Sequence, residues 1–162
     1  MGALGQSEGA RIVHLSLDDP ALAARNADLE HERRVAIFDI LENNHFALVD
    51  GPEGPYRLTL SLADRGILFA VSDKDHAELR RIELSMTPFR RNIRDYFMIC
   101  ESYFEAMRNA TPERVETIDE ARRALHNESA ELLKTRLSDK VVLDDDTARR
   151  LFTLISVLQM RG

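Results

Sequence analysis

Arg90 and Arg94 stand four residues apart just after Thr87-Pro88-Phe89, a segment that predicts a helix start with Thr87 as N-cap and Pro88 in the first turn. Their guanidinium groups then share one helix face and repel each other. They also meet the positive end of the helix macrodipole, which costs a few tenths to about 1 kcal/mol each. The nearest acid upstream is Glu83, back on a strand, whereas Arg91 has Asp95 one turn on. An uncompensated pair of this kind suits an anion or a carboxylate. The competing use is a bridge to a distant Asp or Glu, the ordinary role of surface arginine.

A second helix carries Arg122, His126 and Ser129 at i, i+4 and i+7, a polar ridge on a face that is otherwise apolar. Arg122 falls near the middle of that face and is expected to be paired inside the fold, because an isolated buried charge is too costly to keep. His126 falls at its edge. A histidine there can act as general base, phosphoacceptor or anion ligand, or simply complete its hydrogen bonds at the rim of the core. Leu125-His126-Asn127-Glu128 has the polar and acidic order of a phosphorelay helix, but no nucleotide-binding segment follows it. The candidate ligand-binding residues are therefore Arg90, Arg94, Arg122 and His126. If the protein is an enzyme, His126 is the acid–base and Glu128 its orienter.

Arginine is used heavily throughout. Nineteen of the twenty-two basic residues are arginine, and ten of them form doublets at 33–34, 80–81, 90–91, 122–123 and 149–150. Arg149 and Arg150 follow Asp144, Asp145 and Asp146, which suit a helix start and can pair with them, so that doublet reads as self-compensated. No metal site is expected. His14, His31, His45 and His76 share no helical spacing, and one cysteine cannot complete a zinc ligand set. Cys100 lies within an aromatic stripe, where burial is the expected state. No Gly-rich phosphate loop, serine elbow or paired-carboxylate motif is present, and no cofactor is implied.

The bulk composition sets further bounds. A net charge of −6 argues against a general nucleic-acid binder, whose affinity comes from a basic face that neutralises phosphates. A single cysteine excludes an internal disulfide and suits a reducing compartment. Residues 1–9 lack a basic and apolar leader pattern and read as a loose tail, with one domain over residues 10–162. The most apolar run, 151–160, is too short to span a bilayer. The expected location is cytoplasmic, with no membrane partner.

The elements that must position these residues are α+β. Arg11–Leu17 alternates, with Val13, Leu15 and Leu17 on one face; a helix capped by Asn26 runs to about Asn44, with Val35 and Phe38 opposite its main apolar face. Phe46–Val49 is a short strand, and from Tyr56 to Met86 the period is 2, broken by short turns. That pattern predicts an antiparallel meander of four to five strands with one wet face. It packs against a C-terminal half of three helices, plus the N-terminal one. The second of these C-terminal helices is capped by Thr111-Pro112. The last, from Asp144–Asp146 through Met160, is apolar nearly all round and is expected either to centre the core or, as the favoured outcome, to form half of a homodimer interface.

Four segments carry a resemblance: Thr87-Pro88-Phe89-Arg90-Arg91, the run 95–100 (Asp-Tyr-Phe-Met-Ile-Cys), Leu125-His126-Asn127-Glu128 and the run 146–155. In this order the chain resembles Uncharacterised Protein Family 0262, an alphaproteobacterial family, over nearly its whole length. The resemblance implies a bacterial, cytoplasmic, single-domain protein and carries over no catalytic residue. Two functions follow from the residues. The leading one is a non-enzymatic regulatory or interaction module that binds a small anion or an acidic protein segment. The other is a small enzyme acting on a phosphorylated or carboxylated metabolite.

Overall fold

The computed structural model describes residues 8–18 and 27–159. In chain order the elements are β1 (Ile12–Asp18), α1 (Ala27–Glu42), β2 (Phe46–Leu48), β3 (Tyr56–Leu62), β4 (Gly66–Ser72), β5 (Glu78–Ser85), α2 (Arg90–Asn109), α3 (Pro112–Leu137), β6 (Val141–Leu143) and α4 (Asp145–Gln159). The expected tail lies outside the described residues up to Ser7. Gly9 is already anchored, its carbonyl accepting the Gly54 N–H at 2.8 Å. The expected cap Asn26 and the last helical residue Met160 also lie outside.

Alternation builds the sheet. Leu58 and Leu60 of β3, Ile67, Phe69 and Val71 of β4, and Ile82 and Leu84 of β5 are buried on one face. β3, β4 and β5 form the antiparallel meander, and the opposite face carries residues such as Arg57, Thr59 and Ser61. Two pairings depart from expectation. β1 joins the meander in parallel, alongside β3, because the α1 crossover returns the chain in the same direction. β2 leaves that sheet altogether and pairs with β6, which no alternation is long enough to reveal.

The expected inner face of β1 is also revised. A register shift between Ile12 and His14 turns Ile12 and Leu15 inward and leaves Val13 exposed. Asn44 explains how the backbone tolerates this. Its side chain accepts the Ile12 N–H at 2.8 Å and donates to the carbonyls of Ile12 and Ile40 at 3.0 and 2.7 Å.

The helix starts differ from one another. Thr111 caps α3 as expected, accepting the Arg114 N–H, and Asp144 caps α4 by accepting the Thr147 N–H at 3.0 Å. Thr87 does not cap α2. Residues Thr87–Phe89 form a separate 3₁₀ turn, and α2 begins at Arg90 with no side-chain cap.

α4 settles the alternative left open for it. Leu151, Phe152, Leu154, Ile155, Val157 and Leu158 are all buried within one chain, and the helix packs against α1, α2, α3 and β3. It is the middle of the core, so the argument for a two-fold interface through it falls away. No described helix is long and apolar enough to cross a membrane.

Candidate anion-binding site

Both helices that flank α4 run out of buried apolar residues on the same side of the molecule. The α2 stripe is buried at Ile93, Tyr96 and Cys100, half-buried at Tyr103 and Phe104, and exposed at Met107. α3 buries nothing before Ser129. In that stretch it presents Arg122 and His126 beside the half-buried Val115, Ile118 and Leu125. The result is a half-open cavity of about 580 Å³ lined by residues of all four helices, with Arg122, His126 and Thr153 among them. That volume is in the range of roughly 300–1,000 Å³ typical of small-molecule sites.

Arg122 is held in three ways. Its Nη2 donates to Asp119 Oδ1 at 3.1 Å, its guanidinium carbon lies 4.3 Å above the centre of the Tyr103 ring, and it feels the Glu32 carboxylate. Burial works against the cation, but these carboxylates outweigh it and raise its pKa further. The expected internal pairing of Arg122 is therefore present. It is incomplete, because Nε is buried with no hydrogen-bond partner among the described residues. Asp119 is also shared, lying 3.4 Å from Arg123.

His126 sits beside Arg122, with its ring 5.2 Å from Tyr96 and 6.3 Å from Phe152. Burial, then the nearby Arg122 and Arg149, pull its pKa from 6.5 down to about 4, so it is neutral at physiological pH. Its Nε2 lies 3.1 Å from Thr153 Oγ1, which in turn donates to the Arg149 carbonyl at 3.4 Å. Across the cavity, Glu32 accepts from the Tyr96 hydroxyl at 3.0 Å.

The remaining charges are partly matched. Arg149 pairs with Asp146 and donates to Asn127 at 3.1 Å, as its sequence context suggests. Arg150 instead reaches Asp39 of α1, at 4.0 Å. Arg108 has no ion pair among the described residues. The lining thus holds four arginines (108, 122, 149 and 150) against three carboxylates (Glu32, Asp39 and Asp146), with His126 neutral. Among the lining residues arginines thus outnumber carboxylates by one, with Asp119, the partner of Arg122, lying outside the lining.

Arg90 and Arg94 are elsewhere. They line a smaller hollow of about 320 Å³ at the start of α2, joined there by Arg65 from the β3–β4 turn and by one acid, Asp64. The turn is locked to the helix start because Met86 N–H donates to the Arg65 carbonyl at 3.2 Å. Gly66 is required there, since a Cβ would stand 1.9 Å from the Leu84 carbonyl oxygen. Among the described residues Arg90 has no ion pair, and Arg94 has only its neighbour Asp95 at 3.7 Å. The four candidate residues therefore form two sites, not one.

Glu128 does not orient His126. It is exposed and lies 3.5 Å from the Asn92 amide, which also donates to the buried Ser129 at 2.9 Å. Two positions along a helix turn a side chain through some 200°, so the pair faces different neighbours. Glu32, Tyr103, Arg108 and Thr153 are site residues that the motifs did not single out. The i, i+7 spacing of Tyr96 and Tyr103 on one stripe was the available signal for the aromatic wall; nothing in the sequence marked Glu32.

The sequence profile of Uncharacterised protein family (UPF0262) matches residues 9–161. The chain belongs to this family. A UPF0262 protein of Rhodospirillum rubrum is 54% identical over 151 residues, 93% of each chain. One from Rhizobium etli is 53% identical over 152 residues, 94% of this chain and 96% of its own, and one from Methylobacterium radiotolerans is 54% identical over 94% of each. The UPF0262 match spans every helix that lines the cavity, and it bears out the resemblance carried by the four motifs. No solved structure matches the chain.

Proposed function

We propose that this protein is a non-enzymatic regulatory or interaction module that binds a small anion in the four-helix cavity. The observation that carries the reading is Arg122: a cation held over Tyr103 in the lining of a concave space where arginines outnumber carboxylates by one. A concave site between helices favours a small ligand over an acidic protein segment. The Arg65, Arg90 and Arg94 hollow is a second, more exposed anion position in the same reading. The cytoplasm is the proposed location, on the strength of one cysteine, Cys100, which is buried and whose pKa burial pushes up to about 11.

The enzyme reading would need His126 to exchange protons near neutrality, where acid–base catalysis is most effective. A pKa of about 4 and the absence of Glu128 from its side favour binding over chemistry. The test is a thermal-shift screen of carboxylate and phosphate-bearing metabolites on the native protein and on Arg122→Met. Stabilisation of the native protein alone is the expected result. Equal responses from the two proteins would overturn the reading.

A further inference from the structure

We infer that the ligand of the four-helix cavity is a small amphipathic monocarboxylate, with its carboxylate on Arg122 and its apolar body along the wall of α1 and α2. This rests on the anion-binding reading above and adds the ligand class. Three observations carry it.

The first is charge. Four lining arginines against three carboxylates leave room for one negative charge. A phosphate dianion would overfill that balance in a partly desolvated space, where an unmatched charge is expensive. The carboxylate of Arg122's partner, Asp119, does not alter this, because Arg123 shares it.

The second is the wall. Val35 and Ala36 of α1 and Tyr103, Phe104 and Met107 of α2 line the same cavity as the arginines. Val35 and Met107 are 43% and 58% exposed although both line it, and Phe38, one turn from Val35, is 64% exposed. The sequence leads one to expect a second cover for this face of α1, and among the described residues the chain supplies none. An apolar surface that ends at a cationic floor matches a ligand with a hydrocarbon body and an acid head, and inorganic anions would leave the wall bare.

The third is the floor. Arg122 lines the cavity with Nη2 on Asp119 and its guanidinium over the Tyr103 ring, and His126 beside it is neutral, so the guanidinium is the cation that an acid head would meet there.

The experiment is calorimetric titration of the native protein with acetate, butyrate, octanoate (below its micelle concentration), 1-octanol and inorganic phosphate. Each buried methylene is worth about fourfold in affinity, so octanoate should bind at least ~10-fold tighter than butyrate and far tighter than octanol. Arg122→Met should abolish octanoate binding. Met107→Gln, at the exposed mouth, should weaken octanoate several-fold and leave acetate unchanged. Equal affinity for acetate, octanoate and phosphate would overturn the ligand class and leave the anion-binding reading standing. Octanol binding as tightly as octanoate would likewise overturn it, by showing that the acid head is not read. If no anion binds at all, the anion-binding reading fails first.

Discussion

The cavity and the hollow use the same residue type on opposite backgrounds. In the cavity, Arg122 is half-buried, stacked on Tyr103 and tied to Asp119, with an aliphatic wall beside it. In the hollow, Arg65, Arg90 and Arg94 are exposed and open to water, joined mainly by one acid, Asp64. Exposed charges in water are screened and interact weakly, whereas a half-desolvated charge interacts strongly with little else able to answer it. In the proposed reading the cavity is therefore the selective site and the hollow a general one. The arginine doublets follow the same division. Arg33 pairs with Glu30, Arg80 donates to the carbonyls of Val49 and Lys140, Arg122 pairs with Asp119 and Arg149 with Asp146. In each of these doublets at least one member works for the fold. The 90–91 doublet is the exception, offering only the long Arg91–Asp95 pair at 3.7 Å.

The largest expected effect separates the regions by pH. His126 is about 4 when folded and 6.5 when released, so its neutral form stabilises the fold fully above about pH 6.5. As the pH falls from there toward 4, the unfolded chain takes up a proton that the folded one refuses, and about 3 kcal/mol is lost. Denaturant titrations of the native protein and of His126→Phe across that range should show a shallower loss in the variant. Arg90→Ala should keep the native profile. Parallel curves for the native protein and His126→Phe would mean that the cavity does not desolvate the ring.

A smaller effect is expected from Arg122→Met without ligand. The loss of the Tyr103 and Asp119 contacts is offset by removal of the unmet Nε–H, and Asp119 keeps Arg123. The net destabilisation should be about 1 kcal/mol, below the several kcal/mol expected for a fully buried pair. A loss of 3 kcal/mol or more in a denaturant titration would show that Arg122 serves the fold more than a ligand.

The smallest effect belongs to the hollow. Arg90→Ala should change stability by less than about 0.5 kcal/mol, as exposed arginines generally do. Sulfate should raise the melting temperature of the native protein more than chloride at matched ionic strength, and Arg90→Ala should remove that difference. An equal sulfate response in both proteins would take the hollow out of the comparison.

Elements with their own repeat were legible. The one-sided alternation of Tyr56–Leu84 placed the meander's buried face, Thr111-Pro112 placed the start of α3, and the apolar run 151–158 marked α4 as either core or interface. Elements that borrow their partner were not. β6 is three residues long and exists because β2 is opposite it; the β1 face turned on a register shift that Asn44, 32 residues away, makes affordable to the backbone.

At the site, the sequence alone determined that Arg122, His126 and Ser129 share a ridge and that Arg122 needs an internal partner, because helical spacing is set by the backbone; that the partner is Asp119 of the same helix came from the structure. Only tertiary packing decided which ridge meets which wall. Tyr96 finds Glu32 across 64 residues, His126 finds Thr153 across 27, and Arg90 and Arg94 are carried away from both to the β3–β4 turn. Periodicity specifies the face a residue takes on its own helix. It is silent on how four helices lean together, and that lean is what leaves the cavity open.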